Sequence, residues 1–316
     1  MFECITNLWY VLCEINPPAP KWLVDDVSDQ TGKVALITGG YSGIGKLVAK
    51  YLLKKNATVY IGAVNELKEL TGNDKVHFLL VDLSDLESVK QAAVKFRATG
   101  ERLDQLYNNA GVYLAPMDQL TKQGYDLAFG TNTFAHACLT MLLLPVLVSS
   151  AKTAPDGQVR VINVSSSAQW FAPRGGVDWR TIPGTAPERA KRLTPFLAYA
   201  QSKRAQIAFS NELAKRYRKD GIVSIALHPG SVPSGLPRRA TPWQRWGLET
   251  FILQKEADPL GALTPLYAGT SVEAGAMGGE YLGPWARVWR ARQDLEDERA
   301  WVKVWTYCEA VVKEFV

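Results

Sequence analysis

The stretch from Val34 to Lys55 leaves the chain few folds to choose from. Val34-Ala-Leu-Ile-Thr38 is a short, apolar, partly β-branched run and reads as a buried strand. Thr38-Gly-Gly-Tyr-Ser-Gly-Ile-Gly45 follows at once, and residues 46–55 (KLVAKYLLKK) carry a helical period. A glycine-rich motif alone is weak, but one set between a strand and a helix at a first βα turn is specific. Gly39 permits the tight turn around Ser42. Gly43 and Gly45 let the backbone approach a pyrophosphate, and a helix starting near Ile44 offers it free N–H groups and a positive dipole end. A purely structural turn is the bland alternative; the setting favours a dinucleotide.

The rhythm continues. Residues 57–62 (ATVYIG) and 77–83 (HFLLVDL) read as a second and third strand, and a helical pattern headed by Ser84 lies behind the latter. LDQLYNNAG at 103–111 ends a fourth strand, 124–150 reads as a long helix, and VRVINVSS at 159–166 is a fifth strand. A helix then runs to about Lys219, and IVSIALHPG at 222–230 is a sixth strand. Alternating strands and helices predict a single α/β domain over 31–316, a Rossmann-type doubly wound parallel sheet. Residues 1–30 form an extension ahead of it. Two stretches break the rhythm: 168–196, rich in Pro, Gly, Arg and Trp, and about 233–260, with Trp243 and Trp246. Long irregular segments are commonly functional, and an apolar pocket wall or lid suits this composition.

Composition excludes several classes. Hydrophobic content of 47% and charged content of 21% fit a globular protein with a sizeable core. The net charge of +5 is scattered rather than gathered into a stripe, which argues against nucleic acid as a partner. Cysteines at 4, 13, 138 and 308 form no Cys-x-x-Cys, so free thiols in a reducing, cytoplasmic setting are expected. His77, His136 and His228 are widely separated, and no metal site is expected. The apolar N-terminus carries Glu3 and Glu14 and lacks a basic leader, so neither a signal peptide nor a spanning helix is expected. It reads as an arm packed on the body, with peripheral membrane contact as the sharper alternative. CLTMLLLPVLV at 138–148 is too short to span and reads as a buried helix.

The chemistry centres on Tyr199-Ala-Gln-Ser-Lys203. Four residues apart on a helix, the two side chains share a face. A free tyrosine, with a pKa of about 10, is a poor acid or base at neutral pH. A neighbouring ammonium favours the phenolate, so Lys203 is expected to lower the pKa of Tyr199. Tyr-x-x-x-Lys is common by chance, and a solvated helix face is the bland reading.

With these residues in view, the chain resembles the short-chain dehydrogenase/reductase family. The Thr38–Gly45 turn matches its Thr-Gly-x-x-x-Gly-x-Gly pattern, followed in order by Val81-Asp82-Leu83, Asn108-Asn109-Ala110-Gly111 and His228-Pro229-Gly230. The likeness is strong over 31–235, and the tail around GEYLGPWARV at 279–288 is similar to fungal retinol-dehydrogenase-like members. It implies that Asp82 bonds the adenine amino group. Asn132 holds a water linking the lysine to solvent, and Val232 and Ser234 lie at the nicotinamide carboxamide and phosphates. It further implies that Ser166, with Ser165 and Ser167 as fallbacks, points at the substrate oxygen, while Lys203 holds the nicotinamide ribose. His136 reads as packing. The position of the usual NAD-selecting acid is Ala63 and that of the usual NADP-selecting arginine is Val64, with Glu66 one step further out. Lacking an acid at 63, the chain leans towards NADP, with NAD still open.

The resemblance implies an NAD(P)-dependent oxidoreductase acting on a ketone, aldehyde or secondary alcohol of a lipophilic small molecule. The expected context is terpenoid or polyketide tailoring in fungal secondary metabolism. Retinoid or steroid turnover, or a non-catalytic NADP-binding regulator, are the alternatives. A homodimer through the helices at 124–150 and 199–219 is left open.

Overall fold

The computed structural model describes residues 2–62, 64–233, 243, 246 and 256–314, with side chains from Trp9 onward. Ser234, Ala63 and most of the 233–260 segment, singled out above, lie outside the described residues. The elements are α1 (Phe2–Ile15), β1 (Val34–Ile37), α2 (Gly43–Lys54), β2 (Thr58–Ile61), α3 (Asn65–Thr71), β3 (Val76–Phe78), α4 (Leu86–Ala98) and β4 (Gln105–Asn108). There follow α5 (Leu127–Thr153), β5 (Val159–Val164), α6 (Ala186–Ala190), α7 (Pro195–Tyr217), β6 (Ile222–Leu227), α8 (Leu260–Thr270), β7 (Tyr281–Gly283), β8 (Arg287–Trp289) and α9 (Glu298–Lys313).

The strands form one eight-stranded sheet in the order β3-β2-β1-β4-β5-β6-β7-β8. Every pairing from β3 to β7 is parallel, and β8 alone is antiparallel. The four central strands β1, β4, β5 and β6 are buried at every residue, which is why they read as continuous apolar runs. One face packs on α2 and α8, the other on α4, α5, α7 and α9. Strand order reverses between β1 and β4, and such a switch point opens a crevice at the carboxyl ends of the strands.

The third strand is shorter than expected. It pairs with β2 over Val76–Phe78 and is the edge strand of the sheet among the described residues, and Leu80 beyond it is exposed. The 168–196 segment is not irregular throughout: it carries 3-10 turns at Ser167–Phe171 and Trp179–Thr181 as well as α6. The run at 138–148 belongs to a helix, α5, that is long and apolar enough to cross a membrane by length and composition. Its most apolar window is nevertheless 61% buried, against α4, α9 and the sheet.

The last helix changes the expected pairing surface. On α9, Trp305 stacks on Phe209 of α7 at 5.3 Å, and Tyr307 stacks on Trp179 at 4.5 Å. The Arg216 guanidinium sits 4.9 Å from the Trp305 ring, and Lys215 pairs with Glu298 at 2.7 Å. Helix α9 thus packs on both α5 and α7, the helices offered above for a homodimer. The apolar residues Val304, Trp305, Cys308, Val311 and Val312 supply the driving force.

Candidate active site

The turn after β1 adopts the conformations its glycines permit. Gly39 and Gly43 have φ of 65° and 53°, in the left-handed region. A Cβ on Gly39 would lie 2.9 Å from that of Ala110. Gly45 serves a different end from the one expected. It does not line the crevice; a Cβ there would meet Asn109 Nδ2 at 2.4 Å and the Gly39 carbonyl at 2.7 Å. Its smallness lets α2 pack against the turn. Ser42 is the N-cap of α2 and makes no side-chain cap bond, so first-turn N–H groups face the crevice without a local acceptor. That donor set fits a phosphate.

Thr38 ties this turn to the Asn108–Gly111 segment. Its Oγ1 accepts from the N–H groups of Asn109 and Ala110 at 2.9 and 3.1 Å. His136 Nε2 lies 2.9 Å from the same oxygen, and His136 Nδ1 lies 2.9 Å from the Asn132 carbonyl. A carbonyl only accepts, so Nδ1 carries the proton and Nε2 accepts from the Thr38 hydroxyl. Burial pushes His136 down to about 4, which keeps it neutral. The residue read as packing is therefore a brace between the glycine turn and α5.

Asn132 sits in a π-helical turn of α5, Gly130–Phe134, a distortion often found at functional positions. It is fully buried, does not line the crevice, and has its side chain bonded to protein. Oδ1 accepts from Val112 N at 2.9 Å, and Nδ2 donates to Val112 O at 3.1 Å and Ser202 Oγ at 2.9 Å. The side chain holds the loop that follows Gly111.

β5 delivers the serines. Ser165 Oγ donates to the Lys203 carbonyl at 2.7 Å, so this hydroxyl serves the fold. Ser166 lines the same cavity as Tyr199, near enough for its hydroxyl to favour the phenolate, and its Oγ accepts from Ala168 N at 3.2 Å. Tyr199 and Lys203 come from α7, which starts at Pro195 behind an N-capping Thr194 and is buried from Ala198 to Ala214. Lys203 Nζ donates to the Val164 carbonyl and to Gln206 Oε1, each at 2.8 Å, and stands 5.7 Å from the Tyr199 ring centre. A Cβ on Gly111 would come within 3.5 Å of that ammonium.

The electrostatics differ from the expectation. Burial pushes the Tyr199 phenol up, with the Ser166 hydroxyl acting the other way. Burial also pushes Lys203 down to about 7. The ammonium that was to lower the tyrosine is itself destabilised by the same dry surroundings, so desolvation outweighs its field.

These groups line one cavity of about 680 Å³ running along the carboxyl edge of the sheet. Among the expected residues, Gly39, Ser42, Gly43, Ile44, Asp82, Leu83, Asn109, Ala110, Gly111, Val232, Ser166, Tyr199 and Lys203 line it. The wall also includes residues not assigned a site role above. His228, at the end of β6, is 5% exposed, and neither ring nitrogen has a hydrogen-bond partner among the described residues. Burial and the Lys203 charge push it down to about 3, so it is a neutral polar group in the cavity wall. Its place just beyond a parallel strand was the available signal. Tyr113 meets Tyr199 edge to face at 4.8 Å. Val11 and Ile15 of α1 line the cavity as well.

A doubly wound sheet with a phosphate-type turn at β1 and a Ser–Tyr–Lys cluster beyond β5 defines a Rossmann-type oxidoreductase. The chain belongs to the short-chain dehydrogenase family, whose signature matches residues 33–176. It is 42% identical to a short-chain dehydrogenase/reductase of Armillaria gallica over 98% of this chain and 99% of that one. It is 34% identical to mouse retinol dehydrogenase 12 over 85% and 84% of the two chains. Among solved structures, RhlG of Pseudomonas aeruginosa, determined as an NADP active-site complex, superimposes with a TM-score of 0.60 at 26% identity. That match covers 80% of this chain and 94% of RhlG.

Proposed function

We propose that the protein is an NADP-dependent oxidoreductase that interconverts a carbonyl and an alcohol on a lipophilic small molecule. The observation that carries this reading is the Ser166–Tyr199 hydroxyl pair, set in an apolar cavity beside Lys203. Bound NADP supplies or takes up the hydride. The two hydroxyls converge where a substrate oxygen would gain negative charge, and together they stabilise it. Tyr199 delivers the proton in reduction and removes it in oxidation. Lys203, anchored on Val164 and Gln206, would hold the ribose hydroxyls. Asp82, which accepts from Ser84 N and Oγ, would meet the adenine end.

NADP is favoured over NAD on two grounds. No acid stands at position 63, and Glu66, the nearest acid in sequence, is paired with Lys46. RhlG, of the same fold and related in sequence, binds NADP. The chain matches a fungal short-chain dehydrogenase/reductase end to end, and the context we propose is a tailoring step in fungal secondary metabolism, on a terpenoid or polyketide. The likeness to retinol dehydrogenase 12 favours retinoid turnover as the second reading. Consumption of NADPH and NADH against a carbonyl panel that includes retinal tests all three parts. The expected result is turnover with a kcat/KM preference for NADPH. Cofactor binding without turnover of any carbonyl would favour a regulator instead.

The two serines separate cleanly. Ser166→Ala is expected to lower kcat by roughly 10²–10³-fold, the usual cost of losing one oxyanion donor. Ser165→Ala is expected to cost about 1 kcal/mol of stability, through the bond to the Lys203 carbonyl, with kcat little changed. Steady-state kinetics beside urea denaturation distinguishes them, and the reverse pattern would place the working hydroxyl at 165.

A further inference from the structure

The N-terminal helix is not part of the dinucleotide-binding body, yet it forms one end of the cavity. Val11 and Ile15 lie one turn apart on one face of α1, and both line the same space as Ser166 and Tyr199. The adjacent face, Tyr10 and Glu14, anchors the helix. Tyr10 stacks on Trp170 at 4.6 Å with rings 3° from parallel, and it meets Trp289 of β8 edge to face at 6.4 Å. Glu14 is 1% exposed, and Trp170 Nε1 donates to its Oε1 at 3.5 Å. The outward face carries Trp9 and Leu12, both exposed.

The location decides what α1 meets. Asp82 follows β3 at one edge of the sheet, whereas α1 is fastened to Trp289 on β8 at the other. Trp170 belongs to the turn directly after Ser166. Val11 and Ile15 therefore lie at the end of the cavity remote from the adenine position and next to the reacting hydroxyls. They offer only methyl and methylene groups.

We infer that Val11 and Ile15 of α1 are specificity-determining residues, which bound the apolar part of the substrate distal to its carbonyl and so set the chain length accepted. This rests on the oxidoreductase reading. The selectivity of the enzyme would then reside partly in a helix that precedes the family signature, which begins at residue 33.

The test is a homologous series of ketones, 2-butanone to 2-dodecanone, with NADPH. Ile15→Trp is expected to lower kcat/KM for the longest ketones by roughly tenfold or more, since each excluded methylene in an apolar pocket is worth about tenfold or above. The shortest ketones should be unaffected. Ile15→Ala and Val11→Ala are expected to move the optimum to longer ketones, and Leu12→Ala, on the exposed face, to leave the profile as it is. A change of equal size across the series, or none with the alanine variants, would overturn the assignment. The alanine variants carry the test if the tryptophan does not fold. Calorimetric titration of 2-dodecanone into the protein with NADP keeps the two readings separable. If the wild type turns over neither these ketones nor any member of the carbonyl panel, the oxidoreductase reading fails, while tighter or weaker 2-dodecanone binding in the Ile15 variants still supports the wall. Unchanged binding in those variants overturns it.

Discussion

Tyr199→Phe is expected to abolish measurable turnover while leaving NADPH bound as tightly as in the wild type. The substitution removes one hydroxyl and keeps the ring, with its edge-to-face contact to Tyr113 and its packing on Ala168 and Ala200. The loss should approach the upper end of the 10²–10⁴-fold range for a general acid, at about 10³-fold or more in kcat. Fluorescence titration with NADPH, beside single-turnover kinetics, checks both halves, and appreciable residual turnover would sink the proposed acid. The same phenol carries a pH consequence. Burial raises its pKa, so it is protonated across the neutral range and ready to donate. Carbonyl reduction should therefore hold its rate through neutral pH. Alcohol oxidation, which needs the phenolate, should rise as the pH is made alkaline.

Legibility in the sequence followed the physics of each feature. The turn at Thr38–Gly45 and the helix bearing Tyr199 and Lys203 were readable because backbone requirements and side-chain spacing are local. Ser166 was readable because the end of a buried strand points into the crevice, and the Ser165 bond to the Lys203 carbonyl accounts for its neighbour. Gly45 was misread because a close approach leaves the same residue whether the neighbour is a phosphate or Asn109. The brace made by His136 needed two segments brought together, Thr38 after β1 and the helix α5 that carries both Asn132 and His136, and no period in the sequence encodes that contact. The same holds for α1. Its apolar pattern said that it buries a face, but only the fold shows that part of the face covered is a cavity rather than a core. The paired strands β7 and β8, three residues each, were too short to register as a pattern beside the long helices.

Lys203 concentrates the conflict between stability and function, and Lys203→Met should expose it in two ways. Turnover should be lost, since methionine offers no donor to hold the cofactor's ribose hydroxyls. Stability should change in a pH-dependent manner with a definite sign. Burial lowers the folded pKa of Lys203 to about 7 from the ordinary lysine value of 10.5. Between those values the unfolded chain binds a proton that the folded chain does not, so wild-type stability gains from rising pH across this window. Below about pH 7 both states are protonated and the penalty for burying the charge is felt in full. The bonds to Val164 and Gln206 offset part of that penalty. Methionine has no proton to lose, so this contribution to the pH dependence disappears, and other titrating groups cancel in the comparison. Urea denaturation at about pH 7 and pH 9 should show the wild type gaining roughly 2 kcal/mol more than the variant over that interval. Parallel pH profiles for the two proteins would mean that Lys203 keeps its charge in the fold. Its ammonium would then be a fixed field on Tyr199 after all, and the phenol would sit lower than burial alone dictates.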